Sequence, residues 1–440
     1  MPMTKPTSEQ VTFLAAGSGA SQRTVLDKLR DVVSVKDFGA VGDGVADDTA
    51  AFNAAWTASN PNPVFVPSGS YAVTGTISGQ FFSFGSVTPV GGTIPALQAS
   101  VFANANALMN GDFQVAQRGT SFISTGTFVN NDDAYVLDRW YILSDGNDAI
   151  DVTQNTAEAP FSGGYCIALD VETVNKKFGI AQIIEKQNCN GLLGQTVTLS
   201  FKAKVSSTTK LDNVKCAIVA WSGTADTVTS DIVSAWGVEG TNPTLIANAT
   251  YENTPANLNV TTSWQKFTVT AAVDTASANN IIVFIWSDVT DTTLGDFLYV
   301  TDVKLEAGSI ATPYQRKTTT DSLIDCRRYF QTILVLGPIA TAQAFSATGA
   351  FAPVALLGPM RSTPTITLPT AGISAGQISF LQASTAFATP GTHIVSDVKT
   401  DGVFRVESNG YSSTNWSAGG GTATMLYSNG TTAIYASIEM

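Results

Sequence analysis

A chain of 440 residues and 46.0 kDa has room for about three domains. Only 13% of its residues are charged, against about 25% in an ordinary soluble protein, and 23 Lys and Arg against 35 Asp and Glu leave a net charge of −12. An apolar content of 44% excludes a disordered polyanion, and a pI near 4.5 excludes a basic nucleic-acid footprint.

Residues 1–21 are rich in Thr, Ser, Gly and Ala, with a short apolar patch at Val11, Phe13 and Leu14. Such a segment cannot build a core and reads as a tail that becomes ordered on a partner. Residues 1–13 hold one Lys and no apolar run of about 7–15 residues, so no signal peptide is expected. No stretch approaches the ~20 apolar residues of a membrane span. Residues 22–33 place Val25, Leu26, Leu29, Val32 and Val33 at helical spacing, which predicts one short amphipathic helix. After a turn-rich stretch, DDTAAFNAAW predicts a helix with Asp47 or Asp48 as N-cap and Ala51, Phe52, Ala55 and Trp56 on one face. A strand at Val64–Val66, a turn at Pro67–Gly69 and a strand from Tyr71 to Ile77 follow. Residues 78–107, rich in Gly, Ser, Ala and Asn, read as a linker or an intertwined neck.

From Leu108 to about Arg316 the pattern is many short strands separated by turns, among them Thr196–Ala203, Trp264–Val269, Ile281–Trp286 and Phe297–Val303. Alternation in the first two and apolar runs in the others suit a two-sheet sandwich. Leu323, Cys326, Arg327 and Phe330 then predict a helix over Asp321–Gln331. Short strands return from Ile333 to Met440, and with no exact short repeat a long solenoid is not expected.

Cys166, Cys189, Cys216 and Cys326 lack C-x-x-C spacing and read as buried small hydrophobes. The sole histidine, His393, is expected in a Thr-Gly-rich turn, and with no G-x-S-x-G elbow elsewhere a catalytic triad is disfavoured. No Walker loop or dinucleotide fingerprint appears.

The segment VSVKDFGAVGDGVADDTAAFNAAW, with VFVPSGSYAV after it, resembles the start of pectate-lyase-like β-helix proteins, most of all the form found in phage tailspikes. The resemblance implies that this helix caps a β-helix, and LDKLRDVVSVKDFGA before it resembles the stretch after a tailspike's virion anchor. In that family many rungs follow and carry the catalytic carboxylates. Here the pattern stops near Ile77, so no catalytic residue is carried over, and Asp43, Asp47 and Asp48 read as turn and cap residues.

A second resemblance rests on NGDFQVAQRGTSF (Asn110 to Phe122), DRWYI (Asp138 to Ile142), IIEKQN (Ile183 to Asn188), LLGQTVTLSFKAKV (Leu192 to Val205), TTSWQKFTVT (Thr261 to Thr270) and VKLEAGSIATPYQRK (Val303 to Lys317). In that order they resemble the carbohydrate-binding-module-like jelly roll of phage tail fibres. DCRRYFQ resembles the helix that follows it in such fibres, and GPMRSTPTIT a phrase of their distal domain. Such jelly rolls often hold a structural calcium near their first and last strands, which implies Asp112 and Asp302 as ligands, with Glu306 a weaker third. Turn-capping is the competing role, since calcium takes six to eight oxygens. For stacking on sugar rings, Trp221 and Trp236, flanking a polar loop, and Tyr411 and Trp416, in SNGYSSTNWSAGGG, are the candidates for exposure; Trp264 and Trp286 are expected in the core.

The resulting expectation is a mainly β phage tail fibre or short tailspike without enzymatic activity. It comprises a virion-anchoring segment (1–33), a truncated cap and neck (34–107), a jelly roll (108–316), a linker helix (317–332) and a distal β-rich domain (333–440), assembled as an intertwined homotrimer. Made in a host cytoplasm and released by lysis, it would dock on a tail adaptor or tail-tube protein through residues 1–33. It would then bind a host surface glycan or other receptor multivalently, with the distal domain the favoured recognition site. No nucleic acid, membrane insertion or cofactor beyond calcium is expected. Two alternatives stay open: a depolymerising tailspike, which needs two carboxylates converging in a cleft, and a spacer carrying a separate receptor-binding protein.

Overall fold

A computed structural model describes residues 11–14, 21–29, 32–59, 64–75, 77, 81–83, 86–89, 106–346, 349–370, 377–382, 386–387, 392–399, 402–409 and 424–439. The chain is mainly β and divides into two compact units, Met1–Ala105 and Asn106–Met440.

In the first unit, Arg23–Thr24 pairs with Thr12–Phe13, so the helix expected from residue 22 begins at Val25 and is described to Leu29. The second helix spans Thr49–Ser59. Asp47 caps it by accepting from the Thr49 amide at 3.0 Å, while the Asp48 carbonyl takes the Phe52 amide at 3.1 Å. The Asp48 carboxylate instead braces the loop before it, accepting from Val41 N at 2.7 Å. Phe52 packs edge-on against Tyr71 with ring centroids 5.6 Å apart, and Val35, Val64, Val66 and Val73 complete a small core. A Cβ on Gly42 would lie 2.8 Å from the Tyr71 ring at a φ of +73°, so this turn requires glycine.

Beyond that antiparallel pair, the named strands of this unit pair in parallel. Phe81–Ser83 stacks on Val64–Val66, seventeen residues earlier, and Ser86–Pro89 stacks on Ser70–Val73, which also pairs with Asp43–Asp47. This repeat is a further layer of a parallel coil, so the expectation that the pattern stops near Ile77 is corrected. FFS and SVTP were too short to be recognised as strands because parallel neighbours supply their partners.

In the second unit the chain turns antiparallel. One sheet holds, in order, Gln265–Ala272, Thr196–Val205, Phe297–Ala307, Cys166–Val171, Ile150–Asn155 and Ser121–Phe122. The other holds Ala249–Tyr251, Val214–Trp221, Asn280–Ser287, Phe178–Ile184 and Tyr141–Ser144. Leu169, Leu199, Val300, Ile180, Ile218 and Ile285 are among the side chains that fill the space between them. The far side of the second sheet carries another apolar cluster, Tyr141, Phe284, Trp286, Trp221 and Trp236, with Val233, Leu245 and Ile246 of the 222–250 segment packed against it. All four cysteines are buried and free.

The third helix of note, expected to reach Gln331, spans Thr319–Arg327 behind a Thr318 cap. Phe330 opens a long strand to Ser346 that pairs with Thr424–Ser437 at the centre of an eight-stranded sheet. The apolar side chains after Phe330 follow the strand, and tertiary pairing overrides the helical spacing. His393 lies in the strand Thr392–Ser396 rather than in a turn, and burial lowers the pKa of its ring. Among the described residues no helix is long and apolar enough to cross a membrane.

Candidate active site

The outer face of the six-stranded sheet gathers the chemistry. Alternation sends Val197, Leu199, Phe201, Ala203 and Val205 into the core, leaving Ser200, Lys202 and Lys204 on the outer face. On the neighbouring strand Leu298 and Val300 point in, and then Val303 and Leu305 do. A bulge opposite Ser200/Lys202, with Asp302 at a φ of 55°, makes this change of phase and leaves Thr301 and Asp302 together on the outside. Half-buried Phe297 and Tyr299 remain outward, stacked with centroids 5.4 Å apart. Trp264 meets Tyr299 edge-on at 6.5 Å, and the Lys204 ammonium lies 4.9 Å from the Tyr299 ring centre. The Trp264 indole donates to the Glu158 carbonyl at 2.8 Å. Trp264, expected in the core, is thus half-buried on this face, just before its strand begins at Gln265.

Two carboxylates continue this platform. Asp170 stands directly opposite Phe297 on one side and directly opposite Asp151 on the other. Such cross-strand neighbours have Cβ atoms about 4.5–5.5 Å apart. Burial, and then the charge of Glu172, push both Asp151 and Asp170 up to about 6. Asn130 Nδ2 donates to Asp151 Oδ1 at 2.8 Å, whereas Asp170 Oδ1 is buried with no hydrogen-bond partner. Burial and neighbouring charge thus make both carboxyls hold their protons to higher pH than an exposed aspartate does.

At the other end of the face a cleft of about 330 Å³ is lined by Lys202, Lys266, Asp302, Tyr314 and Arg316. Asp302 pairs with the Arg316 guanidinium and with Lys202 at 3.0 Å, and Asp112 lies 4.0 Å from Arg316. Burial raises the Asp112 carboxyl, partly offset by Arg316, and burial with the nearby Asp112 and Asp302 charges raises the Tyr314 phenol. The Arg316 plane lies 3.8 Å over Phe161. The structure therefore brings Asp112 and Asp302 together, as the calcium expectation required, but around a guanidinium. Glu306 is turned to Lys304 and Thr312. Among the described residues no cluster of three metal-ligating side chains exists, and a donor set occupied by Arg316 and Lys202 does not fit calcium.

The expected exposure of Trp221 and Trp236 is corrected. Both are buried in the far-side cluster, Trp221 donating its indole proton to the Thr224 carbonyl at 3.0 Å and Trp236 packing on Phe284. The loop between them folds back and carries them with it. Tyr411 and Trp416 lie outside the described residues. Asp151 and Asp170 escaped the sequence reading because each is an ordinary polar position in an alternating strand. IDVTQN and CIALDV each carry one Asp, but only the register makes the two neighbours.

Comparison with known proteins adds the family. A family model described as rhamnogalacturonase A/epimerase, pectate lyase-like, matches residues 32–296. A glucan 1,3-beta-glucosidase of Cochliobolus carbonum is 33% identical over 119 residues, a stretch that is 24% of this chain and 15% of that enzyme. Among solved structures, a CBM4 module is similar at 16% identity and a TM-score of 0.24, covering 45% of this chain and 98% of the module. The enzymatically active domain of bacteriophage CBA120 tailspike protein 4 is similar at 12% identity and a TM-score of 0.31, covering 56% of this chain and 39% of that domain. Likenesses at these scores carry no functional weight. The family match does: it runs far beyond the cap, its description names enzymes, and it overturns the expectation of a protein without enzymatic activity.

Proposed function

The chain belongs to the rhamnogalacturonase A/epimerase, pectate-lyase-like family, and from that premise we propose that it cleaves glycosidic bonds of a polysaccharide on the outer face of its sandwich. The observation that carries the assignment is the register: Asp151 and Asp170 are paired beside the Phe297–Tyr299–Trp264 platform. Aromatic rings offer a flat apolar surface to the C–H face of a sugar, and a sugar stacked there lies next to the carboxyls. The protonated member gives its proton to the leaving glycosidic oxygen as the C–O bond breaks. The charged member assists the attack on the anomeric carbon, and water supplies the new hydroxyl. Lys204, held over Tyr299, and Lys202 beside Asp302 add positive charge along the same face.

The setting we propose is that of a tailspike depolymerase acting on a bacterial surface polysaccharide, carried on a virion through residues 1–33 and working as a homotrimer. The tailspike-like phrase from Ser34 to Val73 and the ordered phrases from Asn110 to Lys317 support this reading. The test is to incubate the purified protein with a panel of bacterial surface polysaccharides and follow chain length by size-exclusion chromatography. Shortening of at least one polymer by the wild type, lost in Asp151→Asn and in Asp170→Asn, is expected. Equal shortening by both variants would remove the pair from the mechanism.

A further inference from the structure

A second groove, of about 380 Å³, lies where the sandwich meets the distal sheet, within the same compact unit. Its walls include Arg118, Phe128 and Tyr135 from the sandwich and Phe330, Thr367 and Tyr435 from the distal part. Phe128 meets Tyr435 edge-on at 5.0 Å, and Phe330 stacks near-parallel to Tyr435 at 5.9 Å. Phe128, Tyr135 and Tyr435 are each only half-buried, so the groove presents aromatic surface to whatever enters it.

Arg118 gives this groove its polarity. Its side chain is 3% exposed, its guanidinium lies 3.6 Å from the Phe330 ring centre, and its Nη2 donates to Glu439 at 2.9 Å. Its Nη1 is buried and donates to nothing. An unmet donor on a buried charged group is costly, and a ligand acceptor would relieve it. Arg118 already has a counter-charge in Glu439, which also pairs with Arg139, and the Asp138 carboxyl, raised by burial, lies beside it. The missing partner is thus an uncharged acceptor flanked by a flat apolar face.

We infer that this groove binds one neutral sugar residue, its C–H face against Tyr435 and Phe128 and a hydroxyl oxygen accepting from Arg118 Nη1. A pyranose has both features; a uronate would bring a charge that Arg118, already paired with Glu439, does not need. The inference rests on the reading of the protein as glycan-acting, but concerns a surface that shares no residue with the Asp151–Asp170 face.

The test uses the full-length protein, saturation-transfer NMR, a panel of neutral hexose hexasaccharides and hexagalacturonate as the charged comparison. Thr367 is exposed at the groove wall, so Thr367→Trp fills the groove without touching Arg118. At least one neutral hexasaccharide should bind the wild type, with affinity falling tenfold or more in Thr367→Trp and in Tyr435→Leu. Arg118→Lys, which keeps the charge for Glu439, should weaken it similarly. No neutral ligand, preference for hexagalacturonate, or binding unchanged by Thr367→Trp would each overturn the inference. Groove binding without polysaccharide cleavage would overturn only the catalytic reading, and cleavage without groove binding only this one.

Discussion

Asp170 holds a buried carboxylate oxygen that no donor reaches, and its cross-strand partner Asp151 is also held up to about 6. An unfolded aspartate loses its proton near 3.9, so between about pH 4 and pH 6 the folded protein binds more protons than the unfolded chain. The sign follows: these two groups favour the fold most below about pH 4, and that contribution is lost as pH rises through 6. Asp151→Asn and Asp170→Asn should therefore each raise the melting temperature at pH 7.5 and leave it unchanged at pH 4, while lowering turnover by roughly 10²–10⁴-fold. A variant that melts lower than the wild type at pH 7.5 would refute burial and neighbouring charge as the cause of the raised carboxyls. Gly179 offers a steric counterpart. A Cβ there would lie 2.3 Å from the Ile285 carbonyl oxygen in the neighbouring strand, so Gly179→Ala should be recovered mostly insoluble, or melt far below the wild type. Neither effect was legible in the sequence, where Asp151, Asp170 and Gly179 are unremarkable letters. The resemblance implied Asp112 and Asp302 as calcium ligands, and the letters gave no sign that Arg316 would stand between them.

At the level of elements, alternation was the readable signal and partnership the hidden one. Thr196–Val205 and Gln265–Ala272 appear close to where their apolar period places them, because a half-buried strand writes its period into its residues. Phe81–Ser83 and Ser86–Pro89 have no such period; parallel neighbours one layer earlier hold them. The same blindness to partners hid the buried charge cluster. Asp288 is fully buried and accepts from Lys215 at 2.6 Å and from Lys177, two ammonium groups on one carboxylate. Asp288→Ala leaves both cations buried without their counter-charge, so urea denaturation should show a loss of about 3–5 kcal/mol. A loss under 1 kcal/mol would mean that the lysines reach water once released.

Across the whole molecule, the end of the chain closes onto the sandwich. Glu439 engages Arg118 at 2.9 Å and also Arg139, while Arg328 at the start of the distal part pairs with Glu185 at 2.9 Å. Deleting Glu439 and Met440 strands two buried guanidiniums and should cost about 3–5 kcal/mol, read as a lower urea midpoint. This coupling was invisible in the sequence, which suggested a separable distal domain. The proposed homotrimer predicts a light-scattering mass near three times 46.0 kDa, and a clean monomer at micromolar concentration would refute it. The family, not the local motifs, redirected the reading from binding to chemistry, because the carboxylates lie on a sandwich face where no rung motif marks them. The proposed reaction is bond cleavage by water at the Asp151–Asp170 pair. Its most direct test is mass spectrometry of the fragments released from a susceptible polysaccharide in ¹⁸O-labelled water. The account predicts one ¹⁸O per new reducing end with the wild type and none released by the Asp151→Asn, Asp170→Asn double variant; unlabelled fragments, or labelled fragments from the double variant, would contradict it.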